Sequence, residues 1–182
     1  MDNGVRSLAL TGTIGAGKTT LAEAISEELH ERGVRHALID LDWLGQVYPV
    51  PDGHDPYGYE LALQNLKEIW PNFLAAGAER AVIAGTLLSR SHREGLQAAF
   101  GGSHLTVALV TAPTEVLKAR IHSRNSGRLR DDFLSRTAIV AEEIRSAGIH
   151  DFEVENDGRE LRGLVVETLR ALRWLPSSDS LA

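Results

Sequence analysis

The chain has 182 residues, 43% of them hydrophobic, with 25 acidic and 19 basic side chains and a net charge of −6. That length and apolar content fit one globular domain with a sizeable core, and the acidic balance argues against nucleic acid as the main partner. With no cysteine there is no disulfide framework and no thiol chemistry, and no apolar run approaches the roughly 20 residues of a membrane helix. The opening MDNGVR lacks the basic and apolar regions of a secretory leader, so a cytoplasmic chain with no membrane partner is expected.

In chain order, strands and helices alternate. Ser7–Thr11 (SLALT) reads as a short buried strand. Lys18–Arg32 reads as a helix, with Leu21, Ile25 and Leu29 on one face and Gly33 as its stop. His36–Asp40 (HALID) is a second strand ending on a carboxylate, followed by a loop with Gly and Pro from about Gly45 to Gly58. Tyr59–Ala76 is a helix that Pro71 is expected to kink or interrupt. Ala81–Ala84 is a third strand, Ser91–Phe100 a helix and Leu105–Val110 a fourth strand. Pro113 opens the next helix, a position that suits it. Asp131–Ala147 is a further helix, Phe152–Glu155 a fifth strand and Arg159–Leu175 a closing helix, with 176–182 as a frayed tail. Such alternation implies an α/β protein with a parallel sheet covered on both faces.

One junction carries chemistry. Gly12-Thr13-Ile14-Gly15-Ala16-Gly17-Lys18-Thr19 fits G-x-x-x-x-G-K-[ST] and lies between a predicted strand and a predicted helix. Glycines let several backbone N–H groups point into one concavity, and a helix N-terminus adds partial positive charge there. Lys18, one of only three lysines, can then reach the β- and γ-phosphates, and the Thr19 hydroxyl can ligate Mg²⁺. With this chain's own residue frequencies the pattern arises by chance on the order of 3 times in 1,000, so a phosphate loop is the reading adopted.

Two other clusters follow. Asp40 and Asp42 lie at the carboxyl end of the second strand, where α/β sheets face their ligands. Two apart, they share a face if the segment is extended. One can hold a water on Mg²⁺ and the other can accept a proton from a hydroxyl substrate. After the fourth strand comes KARIHSRNSGRLR, an arginine cluster with Arg120 and Arg124 at i, i+4 on one helix face. Guanidinium groups stabilise the charge that spreads over a transferring phosphoryl group.

With GTIGAGKT, LIDLD and this arginine cluster, the chain resembles the small P-loop kinases: shikimate, gluconate and adenylylsulfate kinases and chloramphenicol phosphotransferase. The resemblance covers nearly the whole chain in element order. It implies a three-layer P-loop fold with a five-stranded parallel sheet in the order 2-3-1-4-5, as one domain over 1–175 with a lid around 120–136. It implies ATP and Mg²⁺ as cofactors. Gly12, Thr13, Gly15, Ala16, Gly17, Lys18, Thr19 and Thr20 would contact the nucleotide, and Thr19 and Asp40 the metal side. Asp42 would be the base, with Lys18 and Arg124 catalytic. Arg120 would approach the adenine and Arg124 the phosphates. Arg128 and Arg130 would close over the nucleotide, with Arg136 further on, and Asn156-Asp157-Gly158 would sit near the base. The third strand, AVIAGT, departs from the pattern by ending without an aspartate, a role for which Asp40 can substitute.

The acceptor side is read from composition. From His36 to Leu66 there is no lysine or arginine, yet all three tyrosines fall there, with Trp43, Asp52, His54 and Asp55. Phosphate- or sulfate-bearing acceptors are normally held by guanidinium groups, so a neutral or cationic hydroxyl compound is expected. Trp43 and Tyr57, with Thr86 and Arg90 after the third strand, are candidate acceptor contacts beside Asp42; Arg80, Arg90 and Arg93 keep an anionic acceptor open. The alternatives are a nucleoside, nucleotide or adenylylsulfate-type kinase, or a regulatory ATPase with no small-molecule acceptor. No Asn-Lys pair exists to read guanine as in a GTPase.

Overall fold

In the computed structural model, residues 5–50, 52, 53, 55, 57–124, 137 and 139–175 are described, Arg124 by its backbone alone. Five strands, β1 (Arg6–Thr11), β2 (His36–Asp40), β3 (Arg80–Ala84), β4 (Leu105–Thr111) and β5 (Phe152–Glu155), form one sheet in the order β2-β3-β1-β4-β5. Every pairing is parallel, with Leu10 level with Ala84 and Asp40 level with the same Ala84. The sequence expectation of a 2-3-1-4-5 sheet is therefore met.

Alternate residues of each strand serve opposite faces, as the pleat requires. Leu8, Leu10, Val82, Val110 and Val154 meet Leu21, Ile25 and Leu29 of α1 (Lys18–Glu31) and Leu164, Val165 and Leu169 of α7 (Leu161–Ala171). On the other face Ala9, Ile39, Ile83 and Val107 meet Leu66 and Trp70 of α3 (Tyr59–Ala75) and Leu96 of α4 (Arg90–Ala99). Trp70 also lies edge-on against Phe100, with ring centroids 4.6 Å apart. Helices on both faces make the three layers. Two guanidiniums considered for the acceptor serve this fold: Arg93 grips Asp151 with both oxygens at 3.0 Å, and Arg80 lies 5.5 Å from the Trp174 ring centre.

Some elements differ from expectation. α3 runs through Pro71 without interruption. The closing helix is shorter than expected, and α5 (Thr114–Arg124) begins one residue after Pro113, whose carbonyl accepts the Leu117 N–H. A one-turn helix, α2 (Leu41–Leu44), was not anticipated. Residues 139–147 are helical (α6). The start of the helix expected from Asp131, the lid residues Arg128, Arg130 and Arg136, His54 and the tail 176–182 lie outside the described residues.

The segment between α2 and α3 is pinched at its base. Gly45 and Gly58 pack backbone to backbone, and a Cβ on either would collide with the carbonyl of the other. Asn65 of α3 reinforces the pinch by donating to Leu44 O at 2.7 Å.

Candidate active site

Strands β1 and β3 are neighbours whose following helices pack on opposite faces of the sheet, which opens a crevice at their carboxyl ends. The two loops leaving these strands are tied together. Leu87 N–H donates to Thr11 Oγ1 at 2.9 Å, Thr86 Oγ1 donates to Gly12 O at 3.4 Å, and Gly85 N–H donates to Leu10 O.

The loop from Gly12 to Gly17 then leads into α1. Gly12 has φ +152°, and a Cβ there would strike Val110 O; Gly17 has φ +96°, and a Cβ would strike Asn156 Nδ2. Only glycine fits both positions. Gly17 is also the N-cap of α1, so no side chain caps the helix, and no acidic residue lies in its first turn. By contrast α2 and α4 are capped by the side chains of Asp40 and Ser89. The first N–H groups of α1 are left for an anion.

Lys18 completes that cradle. It is only 8% exposed, and its Nζ donates to Gly12 O at 3.0 Å and Thr13 O at 3.2 Å. Burial lowers its pKa, against the pull of Asp42 and then Asp40. A desolvated cation held by two loop carbonyls gains on meeting phosphate oxygens. Behind the loop, Asn156, 6% exposed, donates from Nδ2 to Ala16 O at 2.9 Å. Arg120 donates to Gly15 O, to Ala16 O and to Asn156 Oδ1 at 3.0 Å. Asp157 Oδ1 accepts the Arg159 N–H, closing the turn after Asn156. Arg120 and Asn156 thus hold the loop from outside.

The carboxylates differ in environment. Thr19 Oγ1 donates to Asp40 Oδ2 at 3.1 Å, while Asp40 Oδ1 accepts the Asp42 N–H at 3.0 Å. Leu41–Leu44 being helical, the extended shared-face argument does not apply; Asp42 reaches the site from a turn that Asp40 caps. Asp42 is open to the crevice, yet the protein around it raises its carboxyl pKa by desolvation, against the Lys18 charge, with Asp40 adding to the rise and the Thr86 N–H opposing it.

Asp42 and Thr86 also line a cavity of about 540 Å³ formed with the 45–62 segment and α4. Its walls include Ile14, Val47, Tyr48, Val50, Tyr57, Tyr59, Leu61, Leu88 and His92. Among the described residues its charged groups are Asp42, Asp55 and Glu60, with no lysine or arginine. Tyr57 lines this cavity. Trp43 and Arg90 do not: Trp43 is 74% exposed on α2, and Arg90 begins α4 on its solvent side. Thr20 is exposed in the first turn of α1. Tyr59 belongs to the tyrosine-rich segment noted in the sequence, but His92 was not considered, because its approach depends on how α3 and α4 pack.

An anion cradle at the switch point of a parallel sheet marks the P-loop nucleotide-binding fold, and this is the class of protein described here. A family model for an AAA domain matches residues 8–146, and the chain belongs to that family. No curated protein matches the sequence. Among solved structures the chain is similar to a gluconokinase from Sinorhizobium meliloti 1021, at 22% identity and TM-score 0.65, with 94% of each chain covered. A shikimate kinase from Acinetobacter baumannii in complex with shikimate gives 16% identity and TM-score 0.60, covering 94% of this chain and 95% of that one. The APS kinase CysC from Mycobacterium tuberculosis in complex with AMPPNP and APS also gives 16% and 0.60, covering 93% and 98%. At these identities the likeness shows the fold, which is that of the small P-loop kinases. Among the described residues no helix is long and apolar enough to cross a membrane.

Proposed function

We propose that the protein is an ATP-dependent kinase that transfers a γ-phosphate to a hydroxyl of a neutral or cationic small molecule: a metabolite, a nucleoside or an antibiotic. The observation that carries this reading is the position of Asp42. It is a wall of the cavity and at the same time feels the charge of Lys18 in the phosphate loop. A base shared between a phosphate site and a hydroxyl site is what phosphoryl transfer needs.

The residues present fit ATP and Mg²⁺. The uncapped start of α1 and Lys18 suit a polyphosphate. The Thr19 hydroxyl and the Asp40 carboxylate are hard oxygen donors of the kind Mg²⁺ takes. Among the described residues no group of three or more ligating side chains exists, which suits a metal carried largely by nucleotide oxygens and water. When bound, ATP would supply the transferable phosphoryl group and Mg²⁺ would offset charge on its oxygens. Lys18 would turn from its loop carbonyls to phosphate oxygens, Asp42 would take the acceptor's hydroxyl proton on a carboxylate oxygen, and, as the family resemblance implies, Arg124 and Arg128 would offset charge on the transferring group. Among the described residues the cavity wall carries three carboxylates and no lysine or arginine, which supports an acceptor without negative charge.

The test is ADP release with ATP, Mg²⁺ and a defined panel: gluconate and shikimate as anionic alcohols, glucose and adenosine as uncharged ones, choline as a cationic one, and chloramphenicol. Stimulation by uncharged or cationic members is expected. Turnover that no alcohol stimulates would favour a regulatory ATPase, and stimulation by the anionic members alone would overturn the acceptor class.

A further inference from the structure

One polar side chain on the cavity wall, that of His92, is held both on its ring face and at one ring nitrogen. His92 lies in the first turn of α4, where the N-cap Ser89 Oγ accepts its N–H at 3.2 Å. Its ring stacks on Tyr59 with centroids 3.9 Å apart and an interplanar angle of 18°. Tyr59 is itself anchored: its hydroxyl donates to the His92 carbonyl, and Asp55 Oδ2 accepts its N–H at 2.6 Å.

The ring's hydrogen bonding then fixes its tautomer. Nδ1 lies 3.2 Å from Leu88 N. A backbone amide can only donate, so Nδ1 is the acceptor and a neutral ring carries its proton on Nε2. Burial lowers the imidazole pKa against the pull of Asp55, which favours that neutral form. Among the described residues Nε2 has no hydrogen-bond partner, and it is not sealed from solvent. The ring lines the cavity.

We propose that His92 binds the phosphoryl acceptor, its Nε2–H donating a hydrogen bond to an oxygen of an uncharged or cationic alcohol. This rests on the kinase reading above. A histidine serving only to terminate the Leu88 amide needs the Nδ1 bond but no ring stack and no exposed second nitrogen. A ring held on its face and at Nδ1 presents the remaining N–H in one direction, which is how a binding group is preorganised. A neutral donor also holds an oxygen without repelling a cationic acceptor in a cavity whose described charged groups are Asp42, Asp55 and Glu60.

The test uses the full chain and the panel alcohol that gives the fastest ADP release. His92→Asn keeps an acceptor near the Nδ1 position for Leu88 N–H and removes the Nε2–H. The acceptor KM should rise about 3- to 10-fold, as expected for one hydrogen bond to an uncharged group. The KM for ATP and the Tm should stay close to wild type. His92→Gln, whose amide reaches near the Nε2 position, should recover part of the acceptor KM. In the free protein, ¹⁵N imidazole spectra should show Nε2 protonated and Nδ1 bare. An unchanged acceptor KM in a folded His92→Asn variant, or an Nδ1-protonated ring, overturns the assignment while leaving the kinase reading intact. If no panel alcohol stimulates the wild type, that reading fails and the assignment falls with it.

Discussion

Thr19 Oγ1 and Asp40 Oδ2 are 3.1 Å apart, so the first turn of α1 is hydrogen-bonded to the end of β2 across the crevice. The same Asp40 caps α2 through the Asp42 N–H. One carboxylate therefore faces the phosphate loop, and the next faces the cavity.

This separation predicts different phenotypes. Asp42→Asn should lower kcat by about 10²–10⁴, the usual worth of general-base help, with little change in nucleotide affinity. Asp40→Asn should instead raise the Mg²⁺ concentration needed for half-maximal rate. A Mg²⁺ titration of kcat for both variants, with nucleotide affinity alongside, checks this. The reverse pattern would exchange their roles.

The raised pKa of Asp42 predicts an acid limb in the kcat profile above the ordinary carboxylate range, because the base must be ionised to act. The stability effect has the opposite sign. A carboxyl whose folded pKa exceeds its unfolded value binds protons more readily in the folded state, so its ionisation at neutral pH disfavours folding. Asp42→Asn should therefore keep or slightly raise Tm at pH 7, with the difference vanishing as the pH falls below the unfolded value. Thermal melts across that pH range measure it.

Lys18→Met should fold with an undiminished Tm. The lysine's lowered pKa shows that its buried charge is not favoured by the resting loop. Turnover should drop by about 10²–10³, the scale seen when a fixed electrostatic donor to a transition state is removed. Near-wild-type turnover in the folded variant would remove Lys18 from the chemistry.

Asn156→Ala should act through nucleotide binding. It removes the bond to Ala16 O and one of the partners of Arg120. Buried hydrogen bonds of this kind are worth about 1–3 kcal/mol when broken from one side. The expected result is a lower Tm and a raised KM for ATP, with the KM for the acceptor unchanged. Steady-state kinetics varying each substrate in turn separate the two.

The sheet and the phosphate loop were legible because their signals are local. Alternating apolar runs and the Gly-Lys-Thr junction do not depend on distant residues. The strand order came from the family resemblance. What sequence could not show depends on packing. Asp42 sits on a helical turn because Asp40 caps it, which turns Trp43 outward, whereas an extended segment would have aligned the two carboxylates. Arg93 is spent on Asp151, a residue 58 positions away. His92 joins the site through a stack with Tyr59 that no spacing rule announces.

The Gly45–Gly58 contact gives the cavity a further property. The two backbones are clamped where the intervening chain leaves and rejoins the body, so changes in that chain need not reach the sheet or the phosphate loop. Several cavity walls, among them Val47, Tyr48, Val50 and Tyr57, belong to the intervening stretch. The segment that walls the cavity is in this sense an exchangeable cassette. On the kinase reading proposed above, replacing residues 46–57 between intact glycines is a route by which divergence or design can redirect the protein to a new acceptor while the phosphate loop stays as it is.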